Sequence, residues 1–360
     1  MLFTRAEMEI LRLCAWCMEL PTRKTENLRA ETVDELVWCG LLRVSRNKLS
    51  YRLTPYGYET LQKAGFEYSM DNAYRTDEHI VVRRHQGAEM ALFFNRFGAD
   101  VFVDTPRAER RKDFYVSAYS IRSASKGALL NNTQMIGFYY SGETMFVPYY
   151  VTKDDLGIYA NVEQRNFNMQ QVICGRKPFV VYTGANSLIE IAENVMTERC
   201  RNKKQTYNTY AEAFEKFECP IAIIPMNENG IRTMEVLKLK DYRTQIAKAV
   251  LGEDYLPPKS EHTDAISKST GENYIVGIDC NIPRMKKAME LDTRAPNIIA
   301  FDYQVNTINK YCWGDVHEID IAEVERVFRL RRKTEMKNDK AFQTKDGNYV
   351  QVPTEHMKTR

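Results

Sequence analysis

Long apolar runs are missing from this 360-residue chain, and none approaches the ~20 residues that a membrane-spanning helix needs. A positively charged segment followed by an apolar leader is missing as well, which argues against secretion. We therefore expect a cytoplasmic protein that has no membrane partner. A length of 360 residues and a charged fraction of 28% leave room for two or three domains.

Histidine is scarce and cysteine is scattered, with 5 and 8 residues respectively. Cys14 and Cys17 form a Cys-x-x-Cys pair, but a structural zinc site needs about four ligands and no second pair lies nearby. The spacing predicts reduced thiols that pack in a helix core. We expect no cofactor, unless the chain is a nuclease that uses Mg²⁺.

A large excess of one charge is also absent, because 51 Lys and Arg oppose 48 Asp and Glu for a net charge of +3. A nucleic-acid partner would therefore depend on local clusters of cations. One cluster runs from Arg326 to Lys333, where a nucleic-acid arm and a solvated tail remain equal alternatives. The other lies within the first 66 residues.

The first 42 residues contain sequence patterns that are typical of helices. Thr4 and Glu7 have the spacing of a capping box, and Leu20-Pro21 ends the apolar periodicity that follows. A second periodic run extends from Thr25 to Leu42. These features predict two amphipathic helices.

A basic hairpin follows. Arg43–Arg46 and Leu49–Leu53 flank the polar turn Asn47-Lys48, and Thr54-Pro55 then has the sequence of a helix cap and first turn. From Leu42 to Leu61 this order resembles the winged helices of multiple-antibiotic-resistance and phenolic-acid-repressor type regulators. The resemblance implies double-stranded DNA as the partner.

The candidate DNA contacts are the cations of the hairpin and of the start of the presumed recognition helix: Arg43, Arg46, Lys48, Arg52, Lys24 and Arg29. The alternative is a wing with solvated charges that serves as a structural or dimer contact, and an oligomer remains open.

The region 76–175 predicts an α+β domain. Its expected elements are a helix over 76–97, strands at 99–103, 114–121, 134–140, 144–152 and 157–162, and a helix over 163–173. This order resembles a degenerate restriction-endonuclease-like core, in which acidic residues on central strands hold a metal ion. Candidate catalytic residues of a Mg²⁺-dependent nuclease are Asp154, Asp155, Glu163 and Arg165. Arginine stands where lysine is expected and cannot deprotonate, so a charged helix start is the alternative.

A wider resemblance joins the winged helix to His79, Ser117–Arg122, Met135–Tyr140 and the Glu163-x-Arg165 pair. Together they are similar to the replication-relaxation family, which is encoded on plasmids, transposons and conjugative elements of Gram-positive bacteria. The resemblance implies a DNA-associated role in replication or transfer, with replication or transfer proteins as further partners.

The region 177–330 predicts an α/β layer with a mostly parallel sheet, built on strands at 179–182, 221–224, 233–237, 274–278 and 297–301. Asp279 and Asp302 directly follow two of these strands, which makes them candidate metal ligands. A structural docking domain is the alternative. Residues 252–272 predict an exposed loop, and residues 336–360 a flexible tail.

These patterns lead to one main hypothesis, a DNA-binding accessory or regulatory protein of a mobile element that acts in replication, transfer or transcription control. Two alternatives remain open at this point. One is the metal-dependent nuclease, and the other is a non-catalytic protein-interaction module.

Overall fold

The computed structural model describes residues 2–22, 30–46, 48–68, 78–103, 113–125, 129–153, 157–197, 207–291, 295–330 and 341–351. Within these ranges the chain is a mixed α+β protein with thirteen α-helices and three sheets, which confirms the general class. Among the described helices, none combines the length and apolar character that crossing a bilayer requires. The chain divides into two compact units, Met1–Phe102 with Glu335–Arg360, and Val103–Thr334.

The first unit contains α1 (Arg5–Trp16), β1 (Leu20–Pro21), α2 (Ala30–Trp38), β2 (Leu42–Val44), β3 (Ser50–Leu53), α3 (Pro55–Lys63) and α4 (Glu78–Arg96). Its sheet has the order β1-β3-β2, and both pairings are antiparallel. The buried residues Met8, Leu11, Leu36 and Leu61 come from three helices. They form the apolar side of each helix, as the periodicity predicted.

Helix caps determine where α1 and α3 begin. The Thr4 side chain accepts a hydrogen bond from the N–H of Glu7, whose carboxylate accepts one from the N–H of Thr4, which confirms the capping box. The Thr54 side chain caps α3 by accepting a hydrogen bond from the N–H of Gly57, with Pro55 at the first position. The Thr54 hydroxyl also donates to the carbonyl of Gly40 at 2.7 Å, which fixes the start of α3 against the segment that precedes β2.

The C-terminal residues 341–351 correct the predicted tail. Leu2 bridges to Gln351 and Thr4 to Ala341, while the N–H of Phe3 donates to the carbonyl of Val350 at 3.0 Å. Backbone pairing with the first residues therefore orders a segment that is too polar to be recognised as structured by composition. The rest of the predicted 336–360 tail lies outside the described residues.

The second unit contains the remaining elements. They are β4 (Phe114–Ser117), α5 (Ala118–Ala124), β5 (Gly137–Ser141), β6 (Thr144–Tyr150), α6 (Ala160–Cys174), β7 (Lys177–Thr183), α7 (Leu188–Val195), α8 (Tyr210–Lys216), β8 (Ile221–Ile223), α9 (Glu228–Leu237), α10 (Tyr242–Leu251), β9 (Tyr255–Leu256), β10 (Ala265–Ser267), β11 (Asn273–Val276), α11 (Ile282–Leu291), β12 (Asn297–Phe301), α12 (Val305–Tyr311), β13 (Val316–Ile319) and α13 (Ile321–Val327).

One sheet of this unit has the order β4-β5-β6-β7-β8, antiparallel up to β6 and parallel from β6 to β8. Thr144 of β6 is the register partner of Lys177 of β7, and α6 is the crossover helix between these strands. The domain boundary predicted between 175 and 177 is therefore wrong, because it cuts through a single sheet.

The other sheet has the order β9-β10-β11-β12-β13, with β11 to β13 parallel and the two strands before them antiparallel. The predicted parallel layer is therefore mixed, and β9 and β10 lie within the segment 252–272 that predicted a loop. The N–H of Ile223 donates to the carbonyl of Asp279 at 3.0 Å, and one apolar cluster includes Val180 and Ile298. The two sheets consequently share a core.

Four predicted strands turn out differently. Residues 233–237 belong to α9, which begins where the Asn227 side chain accepts a hydrogen bond from the N–H of Gly230. The strand predicted over 114–121 ends at Ser117, which caps α5. The segment 157–162 leads into α6, which begins at Ala160, and 99–103 contains no strand among the described elements. In the first two cases a side-chain cap favours the helix over β propensity.

A buried ion pair joins α9 to α13. The guanidinium of Arg232 donates from Nε and Nη2 to the two carboxylate oxygens of Glu325 at 2.9 and 2.8 Å. Hydrogen bonds to Glu325 raise the pKa of Arg232, despite burial, which acts in the opposite direction. Such a two-point contact fixes both the distance and the orientation of the helices.

We predict that Glu325→Ala lowers the free energy of unfolding by about 3 kcal/mol, because it leaves the Arg232 charge buried without its partner. Chemical denaturation monitored by circular dichroism measures the change. Glu323→Ala is the matched control, since its pair with Arg326 is exposed and should contribute less than about 1 kcal/mol. Equal losses in the two variants would contradict the assignment.

Candidate nucleic-acid interface

The hairpin formed by β2 and β3 carries the predicted contact residues. Leu42 pairs with Leu53 and Arg43 with Arg52, and Leu42 and Leu53 are both buried. Because directly opposed residues point to the same face of a sheet, Arg43 and Arg52 share the face opposite these leucines. Lys48 adopts a left-handed backbone with φ of 59° in the turn.

Three of the hairpin cations are available to a ligand. Arg43, Arg46 and Lys48 are exposed, and none forms an ion pair within the described part of the chain. Val44 and Leu49, on either side of the turn, are each 43% exposed. The end of the hairpin therefore combines positive charge with apolar surface.

Arg52 has a different environment from the other three cations. Its Nη2 and Nε atoms donate to one carboxylate oxygen of Glu19 at 3.0 and 3.1 Å, and the Ser50 hydroxyl donates to the same oxygen at 2.8 Å. Arg52 stays a predicted DNA contact, but its guanidinium, which is 23% exposed, already has a partner in Glu19.

Glu19 is fully buried and also binds α4. The Nη1 atom of Arg84 donates to its second oxygen at 2.9 Å, and Nε2 of His85 lies 3.5 Å from that oxygen. Burial alone would raise the pKa of Glu19, but the neighbouring His85 and the hydrogen bonds from Ser50 and Arg52 outweigh it and lower the pKa to about 2. One carboxylate therefore connects β1, β3 and α4. The sequence showed no sign of this, since Glu19 is a single acid between α1 and β1.

The exposed side of α2 is acidic. Glu31, Asp34, Glu35 and Trp38 are exposed, whereas Val33 and Leu36 face the core. DNA phosphates would repel such a surface, so the described part of this helix does not suit the recognition role that the sequence predicted. Lys24 and Arg29 lie outside the described residues.

Of the candidate nuclease residues, the structure describes Glu163 and Arg165, and these two side chains lie in different environments. Glu163 is fully buried on α6, where it accepts a hydrogen bond from the N–H of Gln134, and Arg165 is exposed. Two residues apart on a helix, these side chains point to different sides. Burial and the adjacent Glu163 carboxylate raise the pKa of Tyr149, so this is a core polar contact. Asp154 and Asp155 lie outside the described residues.

The two predicted metal ligands, Asp279 and Asp302, differ from each other in burial and in hydrogen bonding. Asp279 is fully buried and accepts hydrogen bonds from the Tyr242 hydroxyl at 2.7 Å and from Arg243 at 2.6 Å. Burial would raise its pKa, but Arg243 and Arg284 outweigh that and lower it. Asp302 is exposed and accepts from the N–H of Tyr303. Within the described ranges no group of three or more His, Cys, Asp or Glu side chains is arranged to hold a metal ion.

The Cys14 and Cys17 thiols lie in the α1 region, as predicted, and Cys14 is fully buried. Burial raises the pKa of Cys17 to about 12 and that of Cys14 further, so both thiols are protonated at neutral pH. They have the properties of core residues rather than of a redox pair.

Comparison of the chain with protein-family models, with curated proteins and with solved structures finds no match.

We predict that Glu19→Gln destabilises the first unit by about 3 kcal/mol, because Arg52 and Arg84 then face a neutral amide in the interior. Amide hydrogen exchange of β3 together with chemical denaturation measures this loss. The control is Glu59→Gln, whose exposed pair with Lys63 contributes less than about 1 kcal/mol. A β3 that exchanges at the wild-type rate in Glu19→Gln would rule out the carboxylate as its anchor.

The pH dependence of this effect has a definite sign. The pKa of Glu19 is about 2 in the folded chain against an ordinary value of 4.5. A lowered folded pKa gives stabilisation that is complete above pH 4.5 and is lost as the pH falls toward 2. The stability difference between wild type and Glu19→Gln should therefore shrink over that interval. A difference that stays constant down to pH 2 would contradict the lowered pKa.

Proposed function

We propose that the chain is a DNA-binding accessory or regulatory protein that contacts the backbone of double-stranded DNA through the end of its β2–β3 hairpin. The observation that carries this proposal is the exposure of Arg43, Arg46 and Lys48, three cations with no ion-pair partner in the described residues. Exposed cations on a short hairpin suit phosphate oxygens, which carry no sequence information.

The arrangement of the first unit supports the same proposal. The order of its elements is similar to that of a winged helix: a helix, a short strand, a second helix and then a hairpin. The sheet order β1-β3-β2 fits the same arrangement. In that arrangement the β2–β3 hairpin corresponds to the wing. The wing would carry the DNA contact here, because the exposed side of α2 bears three carboxylates.

Binding of this kind is modest in affinity and sensitive to salt. The net charge of +3 provides little long-range attraction, and only three exposed cations of the hairpin are available. Each phosphate contact changes the slope of log affinity against log salt by about 0.9. The protein would therefore need a second attachment, to DNA or to another protein, to act at one position.

The biological setting is proposed from resemblance to the replication-relaxation family. The residues that carry it include Ser117 at the start of α5 and the β5 strand Gly137–Ser141. Under this proposal the protein acts in replication, transfer or transcription control of a mobile element. Replication or transfer proteins would be its further partners, and the second unit would serve assembly.

The nuclease alternative has no supporting observation. Strands β5 and β6 read Gly-Phe-Tyr-Tyr-Ser and Thr-Met-Phe-Val-Pro-Tyr-Tyr, without aspartate or glutamate. A restriction-endonuclease-like core would place its metal-binding acids on such central strands. Any likeness of this region to that core therefore concerns the order of elements and does not extend to an active site.

We predict that Arg46→Ala combined with Lys48→Ala weakens binding to a non-specific DNA duplex about tenfold or more and lowers the salt slope by roughly 2, since two phosphate contacts are lost. Mobility-shift or anisotropy titrations across a salt series measure both quantities.

The control for this experiment is Lys63→Ala combined with Lys345→Ala, which removes the same charge from exposed positions of the same unit. It should lower affinity only slightly. An unchanged affinity and slope in the hairpin variant, or equal effects in the two variants, would reject the hairpin as the contact.

A further inference from the structure

Two surfaces of the first unit carry opposite charges. We call Glu31, Asp34, Glu35 and Trp38 the acidic face, and Arg43, Arg46, Lys48, Val44 and Leu49 the basic tip. Only Cys39, Gly40, Leu41 and Leu42 separate the two in sequence, so both belong to a continuous segment that runs from α2 into β2.

The acidic face is a single side of α2. Residues 31, 34 or 35, and 38 follow the spacing that puts side chains on one side of a helix. Val33 and Leu36, on the other side, are each 1% exposed. The three carboxylates form no ion pair with a described residue, and Trp38 keeps 37% of its surface exposed beside them.

This composition points to a protein partner. A duplex is excluded by the repulsion between phosphates and carboxylates, and a tryptophan rimmed by charges is typical of protein interfaces. The partner must offer several cations and some apolar surface. Long-range attraction between such surfaces guides association and is weakened by salt.

The basic tip of the same chain has these properties. It offers three exposed cations against three carboxylates, and Val44 and Leu49, each 43% exposed, as apolar partners for Trp38. We propose that the acidic face of one copy binds the basic tip of a second copy in a two-fold dimer. In a two-fold dimer the acidic face of each copy contacts the basic tip of the other, so the same contact occurs twice.

The dimer and DNA use the same cations. Self-association would therefore compete with the proposed DNA contact and would keep the tip covered when the protein is concentrated and DNA is scarce. The inference does not rest on DNA binding, because it follows from the two protein surfaces alone.

A charge-swap experiment tests the dimer. One variant is Glu31→Lys, Asp34→Lys and Glu35→Lys, and the other is Arg43→Glu, Arg46→Glu and Lys48→Glu. Sedimentation equilibrium of the full chain at low salt should show wild-type self-association, and each variant alone should self-associate about tenfold to a hundredfold more weakly, since several pairs of surface charges become repulsive. An equimolar mixture of the two should associate again, because every contact then joins opposite charges.

Further measurements in the same experiment guard against a folding artefact. Circular dichroism and thermal unfolding establish that each variant is folded, and Trp38→Ala, which keeps all charges, should also weaken the wild-type association. Association should decrease in ~1 M salt, where the Debye length is about 3 Å. Wild type that stays monomeric at low salt, or a mixture that associates no better than its components, would overturn the proposal. DNA titrations run separately, so a failure of DNA binding is recognised as such.

Discussion

The Glu19 carboxylate is the interaction on which the arrangement of the first unit depends. It is fully buried, and it joins the hairpin, through Ser50 and Arg52, to α4, through Arg84 and His85. A buried carboxylate needs compensating donors to remain charged, and here the donors come from segments distant in sequence. The cations that hold the hairpin in place are thereby separated from those that remain at its surface.

That separation divides the basic residues into two classes with different roles. Arg52 is partly buried and paired with Glu19, whereas Arg43, Arg46 and Lys48 are exposed and define the chemistry of the unit toward partners. The α2 side chains add an opposite charge to the same unit. The proposed DNA contact and the proposed dimer therefore depend on the same feature. The exposed positive charges lie on the β2–β3 hairpin, and the exposed negative charges lie on α2.

Local signals were sufficient to predict where α1 and α3 begin and where the β2–β3 hairpin lies. The caps at Thr4 and Thr54 and the hairpin turn all depend on neighbours in the chain. The parallel pairing of β6 with β7, the helical state of 233–237 and the binding of Arg52 by Glu19 depend on distant contacts instead. Among the candidate hairpin cations, exposure separates Arg43, Arg46 and Lys48 from Arg52. The amino-acid sequence contains little information about exposure.

The pairing of residues 341–351 with Leu2–Thr4 has a consequence for how the chain is made. The first unit is built from both ends of the described chain, and the second unit is inserted between them. Because a ribosome releases the N-terminal end first, the helices around β1–β3 emerge long before their last backbone partners. The first unit can therefore be completed only after the whole second unit has been synthesised, which couples its maturation to full-length translation.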